Sequence, residues 1–151
     1  MAMITSSSIS VNARFKSLHF RLKASYEVHE LHRPKVAVGA AGVLRTLTDK
    51  PIIKAFRIQS QMDLELAASC GADSILLDAG KGDGVTFDWE LLNQFSRPYF
   101  LAGGLDTKNV RGAVERFHPY AVDVSSGIET DGLKDPEKMA AFVEAVRKES
   151  L

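Results

Sequence analysis

Pro98-Tyr99-Phe100-Leu101-Ala102-Gly103-Gly104-Leu105 is the stretch that decides the fold. A proline opens a short apolar run and two consecutive glycines close it, which is the signature of a buried strand bounded by turns. Downstream, the segment from Thr107 to Phe117 carries Val110, Ala113, Val114 and Phe117, the i, i+3, i+4, i+7 face of an amphipathic helix. Tyr120-Ala121-Val122-Asp123-Val124 is a further apolar run, followed by Ser125-Ser126-Gly127. Asp135-Pro136 then opens a last helix, with Met139, Phe142, Val143 and Val146 on one side. Upstream the pattern repeats. Pro51 to Ile58 reads as a strand, and Met62, Leu64, Leu66 and Ala67 belong to a helix that stops near Cys70-Gly71. Ser74-Ile75-Leu76-Leu77 is another buried strand. Gly80, Gly82 and Gly84 make a flexible loop before Phe87-Asp88-Trp89-Glu90-Leu91-Leu92, a helix start that Asp88 is placed to cap.

Strands recurring every roughly 22 to 25 residues and alternating with helices predict an α/β chain with a parallel sheet and right-handed crossovers. Four such units fit a piece of a (βα)8 barrel and a small doubly wound sheet alike. The unusual residues, Asp78, Gly103-Gly104 and Ser125-Ser126-Gly127, fall just past the carboxyl ends of strands, and in both architectures that edge holds the active site.

Composition narrows the function classes. With 45% hydrophobic and 25% charged residues the chain has ordinary globular make-up. Nineteen basic residues balance nineteen acidic ones, so no global charge points to nucleic acid or to an anionic membrane, and anion binding must come from a local site. The absence of any apolar run of about eighteen residues excludes a membrane-spanning helix. A single cysteine, Cys70, cannot form an internal disulfide, which fits a reducing compartment. His29 and His32 lack a third ligand at metal-like spacing, so no metal site is expected.

Gly103 and Gly104 let a ligand approach the main chain and expose N–H groups, and Ser125, Ser126 and Gly127 add more, with two hydroxyls. Two adjacent strand-end turns of this kind form a nest for phosphate. Either turn alone would serve equally well as a plain reversal of the chain. Asp78 ends an apolar strand, where burial raises a carboxyl pKa and suits it to general acid work; a loop-anchoring role is the alternative. Asp123 points opposite to Val122 and Val124, towards an interior or strand-end pocket, as a structural hydrogen-bonding group or a substrate contact. Lys54 interrupts an apolar strand, either to face substrate or to pair with a carboxylate.

Residues 1–50 stand apart. From Met1 to Tyr26 there is no acidic residue, while Arg14, Lys16, Arg21 and Lys23 are basic and the start is serine-rich. A transit peptide is one reading. A strand is another, because Ile9, Val11, Ala13 and Phe15, then Leu18, Phe20, Leu22 and Ala24, alternate with polar residues. A truncated, shifted or fused reading frame is the third, and the one favoured.

Leu76-Leu77-Asp78, the glycine-rich loop, Phe87-Asp88-Trp89, Leu101-Ala102-Gly103-Gly104-Leu105 and Val122-Asp123-Val124-Ser125-Ser126-Gly127-Ile128-Glu129 follow one another in a family order. Asn109-Val110 and Lys134-Asp135-Pro136-Glu137-Lys138 fit it too. In these motifs the sequence from about Pro51 to Leu151 resembles the C-terminal half of the phosphoribosylanthranilate isomerases. The resemblance implies that residues 51–151 are βα units 5–8 of a partial (βα)8 barrel. It also implies a cofactor-free enzyme of tryptophan synthesis, working in the cytoplasm on a small ribose phosphate, or in an organelle if residues 1–26 are a transit peptide. Asp78 matches the family's general acid, and Gly103, Gly104, Ser125, Ser126 and Gly127 match its phosphate loops. The family's general base, a cysteine in a Lys-(Ile/Val)-Cys-Gly setting, is not matched, since Cys70 lies at a helix end before Gly71. The arginine expected to hold the anthranilate carboxylate also belongs to the unmatched half. Glu27 to His32 resembles the fourth strand and Leu44 to Thr48 its helix, with nothing matching further upstream. The expectation is therefore a truncated or altered frame with little activity alone. A non-catalytic phosphate-binding remnant is the alternative, and another phosphate-binding barrel enzyme is disfavoured by the Phe87-Asp88-Trp89 and Asp123-to-Glu129 motifs. An open half barrel leaves strand edges and an apolar face that the stretch from Ile9 to Val28, or a second copy, is expected to cover.

Overall fold

The computed structural model describes residues 9–12, 18–19, 45–46, 49, 51–78 and 89–147. Six strands form one sheet: β1 (Ile9–Asn12), β2 (Leu18–His19), β3 (Ile53–Arg57), β4 (Ser74–Asp78), β5 (Tyr99–Ala102) and β6 (Ala121–Val124). Their spatial order is β2-β1-β6-β5-β4-β3. Strands β3 to β6 run parallel, as the βα repeat predicts, while β1 pairs antiparallel with both β2 and β6. The sheet is open: among the described residues β3 and β2 end it and do not pair with each other. Helices α1 (Gln61–Ser69), α2 (Val110–Phe117) and α3 (Pro136–Arg147) belong to the parallel units, and a short hairpin, β7 (Glu129–Thr130) with β8 (Leu133–Lys134), precedes α3. No helix among the described residues is long and apolar enough to cross a membrane.

Period-two alternation divides the sheet into two faces. One carries Phe56, Ile75, Leu77, Tyr99, Leu101, Val122 and Val124, which cluster with Leu64 and Ala67 of α1, Val110 and Ala113 of α2, and Phe142 and Val146 of α3. This is the core. Full burial of each such aliphatic side chain contributes about 1.5–3 kcal/mol. Leu76, Ala102, Ala121 and Asp123 are buried on the other face.

Local chemistry fixes the helices. The Asp63 carboxylate accepts the N–H groups of Gln59 and Ser60 and the Ser60 hydroxyl, all at 2.9 Å, and so starts α1. At its other end Arg97 donates to the carbonyls of Ala67 (3.3 Å), Ala68 (3.2 Å), Cys70 (2.6 Å) and Ala72 (2.9 Å). A cation there meets carbonyls at and just past the helix end and the negative end of its dipole. The Tyr99 hydroxyl donates to the Phe117 carbonyl at 3.1 Å, tying β5 to the end of α2, and burial pushes its pKa up to about 12.

The structure refines several expectations. The helix expected to start near Trp89 is a 3-10 helix, Trp89–Gln94. Helix α2 begins at Val110, a turn later than Thr107, after a turn that Asp106 and Asn109 brace with side-chain hydrogen bonds to the main chain. Met62 lies in α1 as expected, on its exposed side, while Leu64 and Ala67 define the buried side. The hairpin β7–β8 was not expected. Asp88, the loop glycines Gly80, Gly82 and Gly84, both histidines His29 and His32, and the Glu27-to-His32 stretch lie outside the described residues.

Candidate active site

The carboxyl edge of the parallel strands gathers the residues singled out above. Arg57, Asp78 and Ala102 occupy one register row across β3, β4 and β5. Leu101 pairs with Val122, so one step further the row reaches Asp123 of β6. Paired residues point to the same side of a sheet, and Asp78 and Asp123 therefore share a face, opposite the helix-covered core. Asp78 is half-buried, and its carbonyl accepts the Ile58 N–H at 3.0 Å. Asp123 is buried. Asp78 and Asp123 each take part in an interaction with their surroundings.

Lys54 is not part of this group. It shares the parity of Phe56, and its Nζ lies 5.5 Å from the centre of that ring. The cation rests on an aromatic face on the other side of the sheet from Asp78, and among the described residues it is not paired with a carboxylate. Cys70 is likewise remote in kind: it is buried, and it forms the cap of α1.

The turn after β5 has a conformation that only glycine takes easily, with φ of 86° at Gly103 and 66° at Gly104. Asn109 holds it in place, donating from Nδ2 to the Gly104 carbonyl at 2.8 Å and accepting the Asp106 N–H at 2.9 Å. Asp106 in turn accepts the N–H groups of Lys108 (2.8 Å) and Asn109 (2.9 Å). Sequence reading noted Asn109 only as part of a pattern, although an Asp with an Asn three residues on is a signal for a side-chain-braced turn.

The turn after β6 begins at Ser125 and continues as a 3-10 turn, Ser126–Ile128, whose Ile128 N–H reaches the Ser125 carbonyl at 3.3 Å. Ile128 is fully buried and pins the turn to the core. Gly127 lies directly against the other turn: a Cβ placed there would be 1.9 Å from the Leu105 carbonyl oxygen and 2.9 Å from its carbon. The two glycine-bearing turns are thus in van der Waals contact. Adjacent strands in a sheet lie about 4.8 Å apart, so Asp78 is about 5 Å from the β5 turn and about 10 Å from the β6 turn, measured across the strands.

Beyond the turn, the Asp135 carboxylate accepts the Thr130 hydroxyl (2.6 Å) and the N–H groups of Glu137 (2.9 Å) and Lys138 (3.2 Å), which caps α3. These bonds, led by the one from Thr130, hold its pKa below the ordinary carboxylate value of 3.8.

A family model for N-(5'-phosphoribosyl)anthranilate (PRA) isomerase matches residues 21–145, reaching well upstream of Pro51. The N-(5'-phosphoribosyl)anthranilate isomerase of Streptococcus gordonii is 46% identical over 107 residues, covering 69% of this chain and 53% of its own length. That of Pseudomonas fluorescens is 40% identical over 157 residues, covering 96% of this chain and 71% of its own. Among solved structures, a phosphoribosyl anthranilate isomerase from Thermococcus kodakaraensis superimposes with a TM-score of 0.62 at 34% identity, over 74% of this chain and 59% of that one. A second phosphoribosyl anthranilate isomerase structure, in complex with reduced 1-(o-carboxyphenylamino)-1-deoxyribulose 5-phosphate, gives 0.58 at 34% identity, over 70% and 53%. This chain spans about half the length of the first curated relatives it matches, 53% in the Streptococcus gordonii case. On the extent of the family match and the shared parallel α/β fold, the chain belongs to the N-(5'-phosphoribosyl)anthranilate isomerase family.

Proposed function

We propose that this chain carries the phosphate-binding and acid-bearing portion of a site for isomerising N-(5-phosphoribosyl)anthranilate, with residues 51–151 corresponding to βα units 5–8 of a (βα)8 barrel and residues 1–50 an atypical N-terminal segment whose strands β1 and β2 join the same sheet. The observation that carries this reading is the abutment of Gly127 on the Leu105 carbonyl, which brings the two expected phosphate turns together beside the strand that ends in Asp78. In the complexed relative the ligand is a carboxyphenylamino-deoxyribulose 5-phosphate, a molecule with a phosphate at one end and a sugar carbon frame behind it.

On this reading the main-chain hydrogens of Gly103, Gly104, Ser126 and Gly127, with the Ser125 and Ser126 hydroxyls, anchor the phosphate, and binding energy there holds the sugar in place for reaction. Asp78 is the general acid. It delivers a proton to the ribose ring oxygen as the C1–O bond breaks and the anilino nitrogen lone pair forms a C=N bond. Loss of the C2 proton to a base then gives an enolamine, which tautomerises to the ketose. Asp123, one register step along, faces the same sugar as a hydrogen-bonding contact. The Lys-(Ile/Val)-Cys-Gly motif of the family's base does not occur in the 151 residues, and Cys70 is buried in a helix cap. The isolated chain is therefore proposed to bind ribose phosphates, without a cofactor and in the cytoplasm, while turning substrate over little or not at all. Strand β3 ends the described sheet, and a second copy is the proposed cover for that edge.

Fluorescence titration of the purified chain with N-(5-phosphoribosyl)anthranilate, competed with inorganic phosphate, tests the proposal. Competitive binding is expected, retained in Asp78→Asn, with turnover near background. Absence of binding refutes the phosphate site. Turnover at a full enzyme's rate that survives Asp78→Asn refutes the role given to the acid.

A further inference from the structure

We infer that Lys134 is the positioning residue for the turn after β6, holding Ser125–Gly127 in the shape that presents its main-chain hydrogens to phosphate. The inference rests on the reading of that turn as a phosphate site, and it assigns the neighbouring hairpin a role in anion recognition.

Lys134 lies in β8, in register with Glu129 of β7. Between them Asp131 (φ 52°) and Gly132 (φ 77°) both take left-handed backbone, the two-residue turn whose twist suits a tight hairpin. Cross-strand partners project to one side, which sets the Lys134 ammonium beside the Glu129 carboxylate at 2.5 Å. From there Nζ reaches the Ser125 carbonyl at 3.0 Å and the Ser125 hydroxyl oxygen at 3.2 Å. Its three donors thus meet three acceptors, two of them on the first residue of the turn. The Lys134 and Glu129 side chains are only 26% and 25% exposed, so the pair is less screened than one on open surface.

The hairpin is itself anchored. Lys138 of α3 donates to the Glu129 carbonyl at 2.6 Å, and the Asp135 N–H donates to the Ile128 carbonyl at 2.9 Å. Helix α3 and the hairpin therefore grip the turn from outside, and Lys134 is the link between them and Ser125. Without it the Ser125 carbonyl keeps the Ile128 N–H, at 3.3 Å, from within its own turn. There is a further consequence for the hydroxyl. Because Ser125 Oγ accepts from Lys134, its hydrogen is directed away and serves as a donor to a ligand oxygen. The chemistry thus selects a phosphoryl oxygen at the turn, with Lys134 behind it rather than in contact with it.

The test uses the full chain, with inorganic phosphate and ribose 5-phosphate as probes, in wild type, Lys134→Met, Lys134→Arg and the double variant Lys134→Met/Glu129→Gln. Affinity for both probes is expected to fall about tenfold in Lys134→Met, the size of one lost charge-assisted hydrogen bond, with partial rescue in Lys134→Arg. Amide exchange at Ser126, Gly127 and Ile128 is expected to speed up without ligand, while β4 and β5 stay protected. The double variant leaves no uncompensated carboxylate and keeps the test valid if the single change impairs folding. Unchanged exchange in the turn overturns the inference, as does unchanged affinity in Lys134→Met. If the wild-type chain binds neither probe but exchange still rises in Lys134→Met, Lys134 stands as the anchor and the phosphate reading falls.

Discussion

Replacing Gly127 by alanine adds one methyl group at the point where the two candidate phosphate turns touch. The added Cβ falls 1.9 Å from the Leu105 carbonyl oxygen, 2.9 Å from its carbon and 3.0 Å from the Asp106 Cα. A carbon tolerates a carbonyl oxygen at about 3.3 Å, so one turn must retreat by about 1.4 Å. All three atoms are main chain, and no rotamer change relieves the clash. Each side is also held: Leu105 is buried and Asn109 bonds the Gly104 carbonyl, while Ile128 is buried and Lys134 bonds the Ser125 carbonyl. Overpacking of this kind costs about 1–3 kcal/mol. For a chain of this size that lowers the thermal midpoint by roughly 2–12 °C. The control is Gly112→Ala in the middle of α2, where nothing lies within 4 Å of the new Cβ. There the same substitution improves helix propensity by up to about 1 kcal/mol, so the two variants are expected to shift stability in opposite directions. Thermal denaturation followed by circular dichroism, with ribose 5-phosphate titration alongside, reads both effects. A Gly127→Ala protein with wild-type midpoint and affinity would mean that the turns do not meet, and the phosphate site would lose its basis.

Two other outcomes follow from the same geometry. Arg97→Ala removes the donor to four carbonyls around the end of α1 and is expected to cost about 2–3 kcal/mol in urea unfolding; Arg97→Lys should recover only part, because one ammonium cannot span all four. Asp73 is held below 3.8 chiefly by the Ile52 N–H, which it accepts at 2.6 Å, and then by Arg45, as Asp135 is by Thr130. Above that ordinary value both carboxylates are ionised, folded or unfolded, and their stabilisation is complete. As pH falls below 3.8 the unfolded chain takes up protons first, so stability drops until the folded carboxylates are protonated too. Unfolding midpoints between pH 5 and pH 2 should show this fall, and Asp135→Asn should flatten it.

The parallel strands and the helices behind them are legible in the sequence because each strand is a short apolar run between glycines, prolines or polar turns. Strand parity is legible as well: Asp78 follows Leu77 and Asp123 follows Val122, so both carboxylates fall on the face away from the core. Lys54 obeys the same rule, sharing the parity of Phe56 on the face opposite Asp78. The hairpin Glu129 to Lys134 is harder to see, since each strand has two residues and no alternation builds up. Its one signal is Asp131-Gly132, the dipeptide that suits a two-residue turn. Alternation from Ile9 onwards shows that a strand can form there, but its partner and direction depend on contacts more than a hundred residues away, as the pairing of Ile9 with Val124 shows. Asn109 and Lys134 were missed as supports for the site because the bonds that tie them to it, to the Gly104 and Ser125 carbonyls, are made to main chain and leave no trace in residue type.

That antiparallel pairing gives the sheet two unlike ends. With Ile9 opposite Val124 and Asn12 opposite Ala121, β1 occupies the edge of β6 along its whole length, and β2 lies outside it. A further strand could join at β6 only by displacing β1, because a strand edge offers one row of main-chain donors and acceptors. At the other end β3 presents Ala55 and Arg57 exposed on the face shared by Asp78, next to Asp78 in the register. The candidate site is therefore graded across the sheet. The proposed phosphate turns lie at the covered β5–β6 end, braced by α3 and the hairpin, and the proposed acid, Asp78, lies between them and β3, the edge strand among the described residues. On the proposed function, a ligand anchored by a phosphate at the first end would extend its remaining atoms past Asp78 towards Arg57. Among the described residues no strand pairs with the outer edge of β3, so a strand that adds to this sheet is expected to join there.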